Sequence, residues 1–126
     1  MERIGSLTVH DADEERAREL ARSIATVSSA RLATGMPSMR DIDIAINASP
    51  VGLSASDALP FPVDALPSHA VVADVIMESR TTALLESAHA RGLRVHHGRN
   101  MMNHAMPIAA SFFGFSASLD WNGEVL

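Results

Sequence analysis

The chain has 126 residues, a formal net charge of −5 and a hydrophobic fraction of 47%. That is enough for one ordinary domain with an apolar core, and the acidic balance argues against nucleic acid or an anionic membrane as a partner. There is no cysteine, and all ten basic residues are arginine, so disulfides, thiol catalysis and lysine chemistry are excluded from this chain.

The start, Met1-Glu2-Arg3-Ile4-Gly5, has no signal-peptide character, and no apolar run approaches the roughly 20 residues of a membrane span. A cytoplasmic setting is the default expectation. Ser6-Leu7-Thr8-Val9-His10 reads as a short strand that stops at Asp11-Ala12-Asp13. Asp11 and Asp13 compete as caps of a following helix, in which Ala17, Leu20, Ala21 and Ile24 recur on one face. Glu14 and Arg18, four apart, pair on its solvent side. Residues 27–33 hold at most one weak strand, and Gly35-Met36-Pro37-Ser38 is a turn.

Asp41-Ile42-Asp43-Ile44-Ala45-Ile46-Asn47 reads as a strand covered on both faces, ending in the small polar turn Asn47-Ala48-Ser49-Pro50. Residues 50–69 carry four prolines and read as a loop region. Val71-Val72-Ala73-Asp74-Val75-Ile76 is a further buried strand. Thr81 or Thr82 caps a helix running through Arg91, with Gly92 as its stop. Leu93-Arg94-Val95-His96 is another short strand, and Gly98-Arg99-Asn100 turns the chain into a helix reaching Phe113, begun or kinked at Pro107. In the tail from Gly114, Trp121 is expected to anchor by packing. Strands alternating with helices over short connections predict an α/β fold with a parallel sheet and right-handed crossovers. In such sheets ligands bind where the carboxyl ends of the strands open into loops.

The ordered series from Ser6 to Gly114 resembles the dinucleotide domain of the shikimate dehydrogenase family, including its quinate/shikimate relatives. Leu7-Thr8-Val9-His10-Asp11 and Asn47-Ala48-Ser49-Pro50-Val51-Gly52 carry it first, the latter similar to the family's Asn-Ala-Thr-Pro-x-Gly. Leu59-Pro60, Ala73-Asp74-Val75-Ile76, Thr81-Thr82-Ala83-Leu84-Leu85, Ala90-Arg91-Gly92 and Gly98-Arg99-Asn100-Met101-Met102 follow at family-like spacing. The resemblance implies a partial Rossmann-like parallel sheet with flanking helices, entered after the family's first strand, glycine-rich loop and first helix. None of the seven glycines forms G-x-G-x-x-G. The family's catalytic Lys–Asp pair is likewise missing. Residues 1–126 are therefore expected to be a single truncated dinucleotide-binding-type domain, family-like over about 6–114, with a tail at 115–126.

By the same resemblance, Asp11 would bond the adenosine ribose, which favours NAD over NADP; the alternative is that Asp11 only caps its helix. Asn47, Ala48, Ser49, Pro50 and Val51 would follow the nicotinamide side of the cofactor, unless Asn47 merely bonds nearby backbone. Val75, Gly98 and Met101 would line the nicotinamide pocket, or simply pack. Two substrate-adjacent positions depart from the family: Met77 stands where it has Tyr, and Ala105 where its Gly-x-x-Met-x-x-x-Gln pattern has Gln. No metal site is expected, because no His-x₃-His pair on a helix joins His96, His97 and His104.

The implied activity is reversible hydride transfer between a nicotinamide cofactor and shikimate or quinate, with this chain inactive alone. The alternative is a non-enzymatic interaction or regulatory module binding a partner chain or a small metabolite. Unpaired sheet edges predict a homo-oligomer or a covering partner chain.

Overall fold

The computed structural model describes residues 4–54, 56–77 and 81–114, and the chain divides into two compact units, Met1–Ser38 and Met39–Leu126. The expected packing of Trp121 lies outside the described residues.

The first unit is a strand–helix–strand crossover. Strand β1 (Ser6–Val9) and strand β2 (Arg31–Thr34) run parallel, with Ser6 opposite Arg31 and Val9 opposite Thr34. Helix α1 (Glu14–Ala25) joins them. Of the two competing caps Asp13 is the one used: its carboxylate accepts from the backbone N–H groups of Glu15 and Arg16 at 3.0 and 3.4 Å. On the apolar face Ala17 is buried and Ala21 and Ile24 are half-buried, whereas Leu20 stays exposed at its margin. Arg18 pairs with Glu14, as the spacing predicts, and also with Glu15.

The second unit is a three-stranded parallel sheet in the order β3-β4-β5, formed by β3 (Ile44–Asn47), β4 (Val71–Asp74) and β5 (Arg94–His97). Ile44, Val71 and Arg94 stand in one row of the register, and Asn47, Asp74 and His97 in the last. Among the described residues there are five strands where four are readily recognised in the sequence; the weak segment near 27–33 supplies the fifth, at Arg31–Thr34.

Alternation along β3 and β4 sends Ala45, Asn47, Val72 and Asp74 to one face. Helix α2 (Ala83–Ala90) presents Leu84, Leu85 and Ala88 to the same core, which Met39, Val63, Leu66, Ala70 and Leu93 complete. Thr82 caps α2, and Gly92, at φ +76°, ends it in the left-handed region. The proline-rich connection between β3 and β4 holds a short 3₁₀ turn at Val63–Ala65, tied to the end of α2 by the Arg91 guanidinium donating to the carbonyls of Val63 and Leu66.

The expectation that β3 is covered on both faces is corrected here. Ile44 and Ile46 are 61% and 59% exposed. The apolar composition of residues 42–46 is that of a doubly covered strand, but among the described residues helices cover only one face of this sheet. Helix α3 (Gly98–Phe112) follows β5 directly and continues through Pro107. Gly98-Arg99-Asn100 is therefore its first turn and not a separate loop.

Candidate functional site

At the carboxyl ends of β3 and β4, strand register sets Asn47 beside Asp74, both buried. The Asn47 amide donates to the Val51 carbonyl at 2.9 Å and to the Asp74 carboxylate at 3.2 Å. Its carbonyl oxygen accepts from the Ser49 backbone N–H at 3.1 Å and from the Ser49 hydroxyl at 2.7 Å. The polar turn 47–51 is thereby bound to the strand that precedes it. Asp74, 2% exposed, also accepts from the Ile76 backbone at 3.1 Å and the Thr82 hydroxyl at 2.8 Å. One carboxylate thus joins two strand ends to the start of α2, and every buried side-chain polar atom among the described residues has a partner.

Gly98 closes the same edge. A Cβ there would lie 2.5 Å from the Val75 carbonyl oxygen and 2.7 Å from that of Ile76. Only glycine lets the first turn of α3 seat against the end of β4. Val75 in turn donates its backbone N–H to the Asn47 carbonyl at 3.0 Å. The structure therefore gathers Asn47, Ser49, Val51, Val75 and Gly98 at one rim. Ala48 and Pro50 are exposed on the turn, and Met101 lies exposed one turn into α3. Met77 and Ala105 are exposed too. Both ends of the Asn47 amide bond protein groups, which gives this rim its shape.

In the first unit, a cleft of about 440 Å³ opens at the carboxyl ends of β1 and β2, within the size range of small-molecule sites. His10, Asp11 and Ala12 form one wall, Glu14 and Arg18 of α1 another, and Thr34, Gly35 and Met36 the third. Asp11 accepts from the Asp13 backbone N–H at 2.8 Å through Oδ1; its Oδ2 has no protein partner among the described residues. The Arg18 guanidinium in this cleft is engaged by Glu14 and Glu15. Hydrogen bonds from Arg22 and Arg18 hold the Glu15 carboxyl below its usual range, and the Glu15 partnership raises Arg18. The third wall was missed in the sequence, where 35–38 registers only as a turn; the signal available was the weak strand just before it.

Each unit is a parallel, Rossmann-like strand-and-helix layer, the first carrying an acidic residue after β1 and the second a small polar turn after β3. No protein-family model matches the chain. The shikimate dehydrogenase (NADP(+)) of Nitrobacter winogradskyi is 34% identical over 102 residues, 80% of this chain and 37% of that protein. The ligand-free 5-ketofructose reductase of a Gluconobacter species superposes with a TM-score of 0.75 at 26% identity, covering 97% of this chain and 43% of that one. Quinate dehydrogenase from Corynebacterium glutamicum, solved with NAD, gives 0.66 at 28% identity over 78% of this chain and 37% of that one. Over most of its own length the chain is similar to shikimate and quinate dehydrogenases, as its motif order implied. It spans about a third of the length of the curated relatives it matches.

Proposed function

We propose that the chain is a shikimate dehydrogenase-like nicotinamide-nucleotide domain acting in the cytoplasm, and that these 126 residues alone transfer no hydride. The observation that carries the reading is the Asp11 cleft. A carboxylate oxygen there is open at the end of a parallel strand, where a ribose diol is bonded in Rossmann-type sheets. In the second unit, by likeness to the family, Asn47, Ala48, Ser49, Pro50, Val51, Val75, Gly98 and Met101 would follow the nicotinamide side of the cofactor. Asp11 would repel a 2′-phosphate, and Arg18 is already held by two glutamates, so NAD is preferred to NADP. These residues supply no lysine and no glycine-rich loop to move a proton or hold a diphosphate.

Calorimetry of the purified chain with NAD and NADP tests the cofactor. NAD should bind at least tenfold more tightly, and Asp11→Ala should weaken NAD by about tenfold, the effect of roughly 1.4 kcal/mol. Binding of neither nucleotide would sink the reading. Shikimate or quinate with NAD should yield no NADH above a protein-free control. A second reading, a non-enzymatic interaction module, is favoured by the exposed apolar surfaces of the second unit.

A further inference from the structure

Asp74 lies behind the rim, and both walls of the rim are tied to its one carboxylate. Oδ1 accepts from the Asn47 amide at 3.2 Å and from the Ile76 backbone N–H at 3.1 Å; Oδ2 accepts from the Thr82 hydroxyl at 2.8 Å. The Asn47 bond carries the first wall, the turn 47–51. The Ile76 bond carries the second, because the Val75 and Ile76 carbonyls are the surface on which Gly98 seats. The walls also approach each other directly: a Cβ on Gly52, just past the turn, would stand 3.5 Å from Ile76 Cδ1.

An ionised carboxylate only accepts hydrogen bonds. Asn47 therefore turns its NH₂ toward Asp74, which leaves its carbonyl oxygen facing Ser49. The Ser49 hydroxyl gives its proton to that oxygen at 2.7 Å, and its own oxygen accepts the Val51 N–H at 3.2 Å. The second Asn47 amide proton goes to the Val51 carbonyl at 2.9 Å. Ser49 and Val51 belong to the turn and move with it; Asp74 is the partner that refers Asn47 to β4 and α2. At 2% and 3% exposure, Asp74 and Asn47 sit where a broken bond is not replaced by bulk water.

We propose that Asp74 is the positioning residue of this rim: acting through Asn47 and Ile76, it sets the separation of the 47–51 turn from the Gly98 wall, and with it the affinity for a nicotinamide ring. The ligand half of this inference rests on the nucleotide reading above; the positioning half does not. Thr82 supplies the contrast. Its hydroxyl bonds the other carboxylate oxygen and caps α2, so its loss weakens the fold without releasing either wall.

Three variants of the full chain separate positioning from stability. Each is compared with the wild type by calorimetry with NAD and by ¹⁵N NMR, at a temperature where circular dichroism shows it folded. Asp74→Ala should weaken NAD by about tenfold. It should also move the Asn47 side-chain amide signals, dispersed and slow to exchange in the wild type, to solvent-exposed positions. Asp74→Asn keeps an acceptor toward Asn47 and Ile76 while its NH₂ faces Thr82, and should retain both affinity and signals. Thr82→Val should lower the melting temperature and leave both as in the wild type. Equal NAD affinity in the wild type and Asp74→Ala overturns the proposal, as does a loss in Thr82→Val matching that in Asp74→Ala. If Asp74→Ala does not fold, the proposal is overturned by solvent-like Asn47 signals in the wild type or by their appearance in Asp74→Asn. A wild-type chain that binds no NAD sinks the nucleotide reading instead, and the positioning role then stands or falls on whether Asp74→Ala releases the Asn47 signals.

Discussion

Asp74 accepts hydrogen bonds from the Asn47 amide, the Ile76 backbone and the Thr82 hydroxyl at 2% exposure. Asp74→Ala strands three donors at the junction of β3, β4 and α2, and a loss of about 3 kcal/mol is expected in urea unfolding. Thr82→Ala removes one donor and the α2 cap together and should cost about 1–2 kcal/mol. At Gly98 the limit is space: an added methyl meets two backbone carbonyls, which cannot yield as a flexible side chain would. Gly98→Ala should cost roughly 2 kcal/mol, whereas Gly5→Ala, with nothing within 4 Å, should change stability by less than about 0.5 kcal/mol. Asp11 could be singled out from the sequence because an acid directly after a strand has few roles. The engagement of Asn47 was less legible: both its bonding to nearby backbone and a place at a cofactor rim were open readings, and only the register that brings Asp74 alongside shows its amide fully used.

Helix α1 takes its start from Asp13, and Asp13→Ala should lower unfolding stability by about 1 kcal/mol. Downstream, Arg22 and Arg18 hold the Glu15 carboxyl below its ordinary value of 4.5. A carboxyl depressed in the folded state favours folding when ionised, so its contribution is full above that ordinary value and lost as pH falls through the lower folded one. A carbon-detected titration of Glu15 should give a midpoint below the ordinary value of 4.5; a midpoint at that value would show the arginine pairs absent in solution. The choice between Asp11 and Asp13 as cap was undecidable from spacing, since both precede the same apolar periodicity by compatible intervals. Helix α3 continues through Pro107 because proline removes one N–H but leaves the other turns hydrogen-bonded. Gly98 is admitted at its first turn because β4 backbone approaches there, which no local pattern reveals.

The apolar runs at 42–46 and 71–76, the caps and the glycine stops determined from the sequence alone that this is an α/β chain of parallel strands, because these signals act over a few neighbouring residues. The order of motifs likewise carried the relationship to shikimate dehydrogenases. Tertiary structure decided the rest: that Asn47 and Asp74 share a row, that Thr34 to Met36 complete the Asp11 cleft, and that Ile44 and Ile46 are exposed. Each of those depends on groups 20 or more residues apart meeting in space, and side-chain periodicity states which face is apolar without stating what, if anything, comes to lie on it.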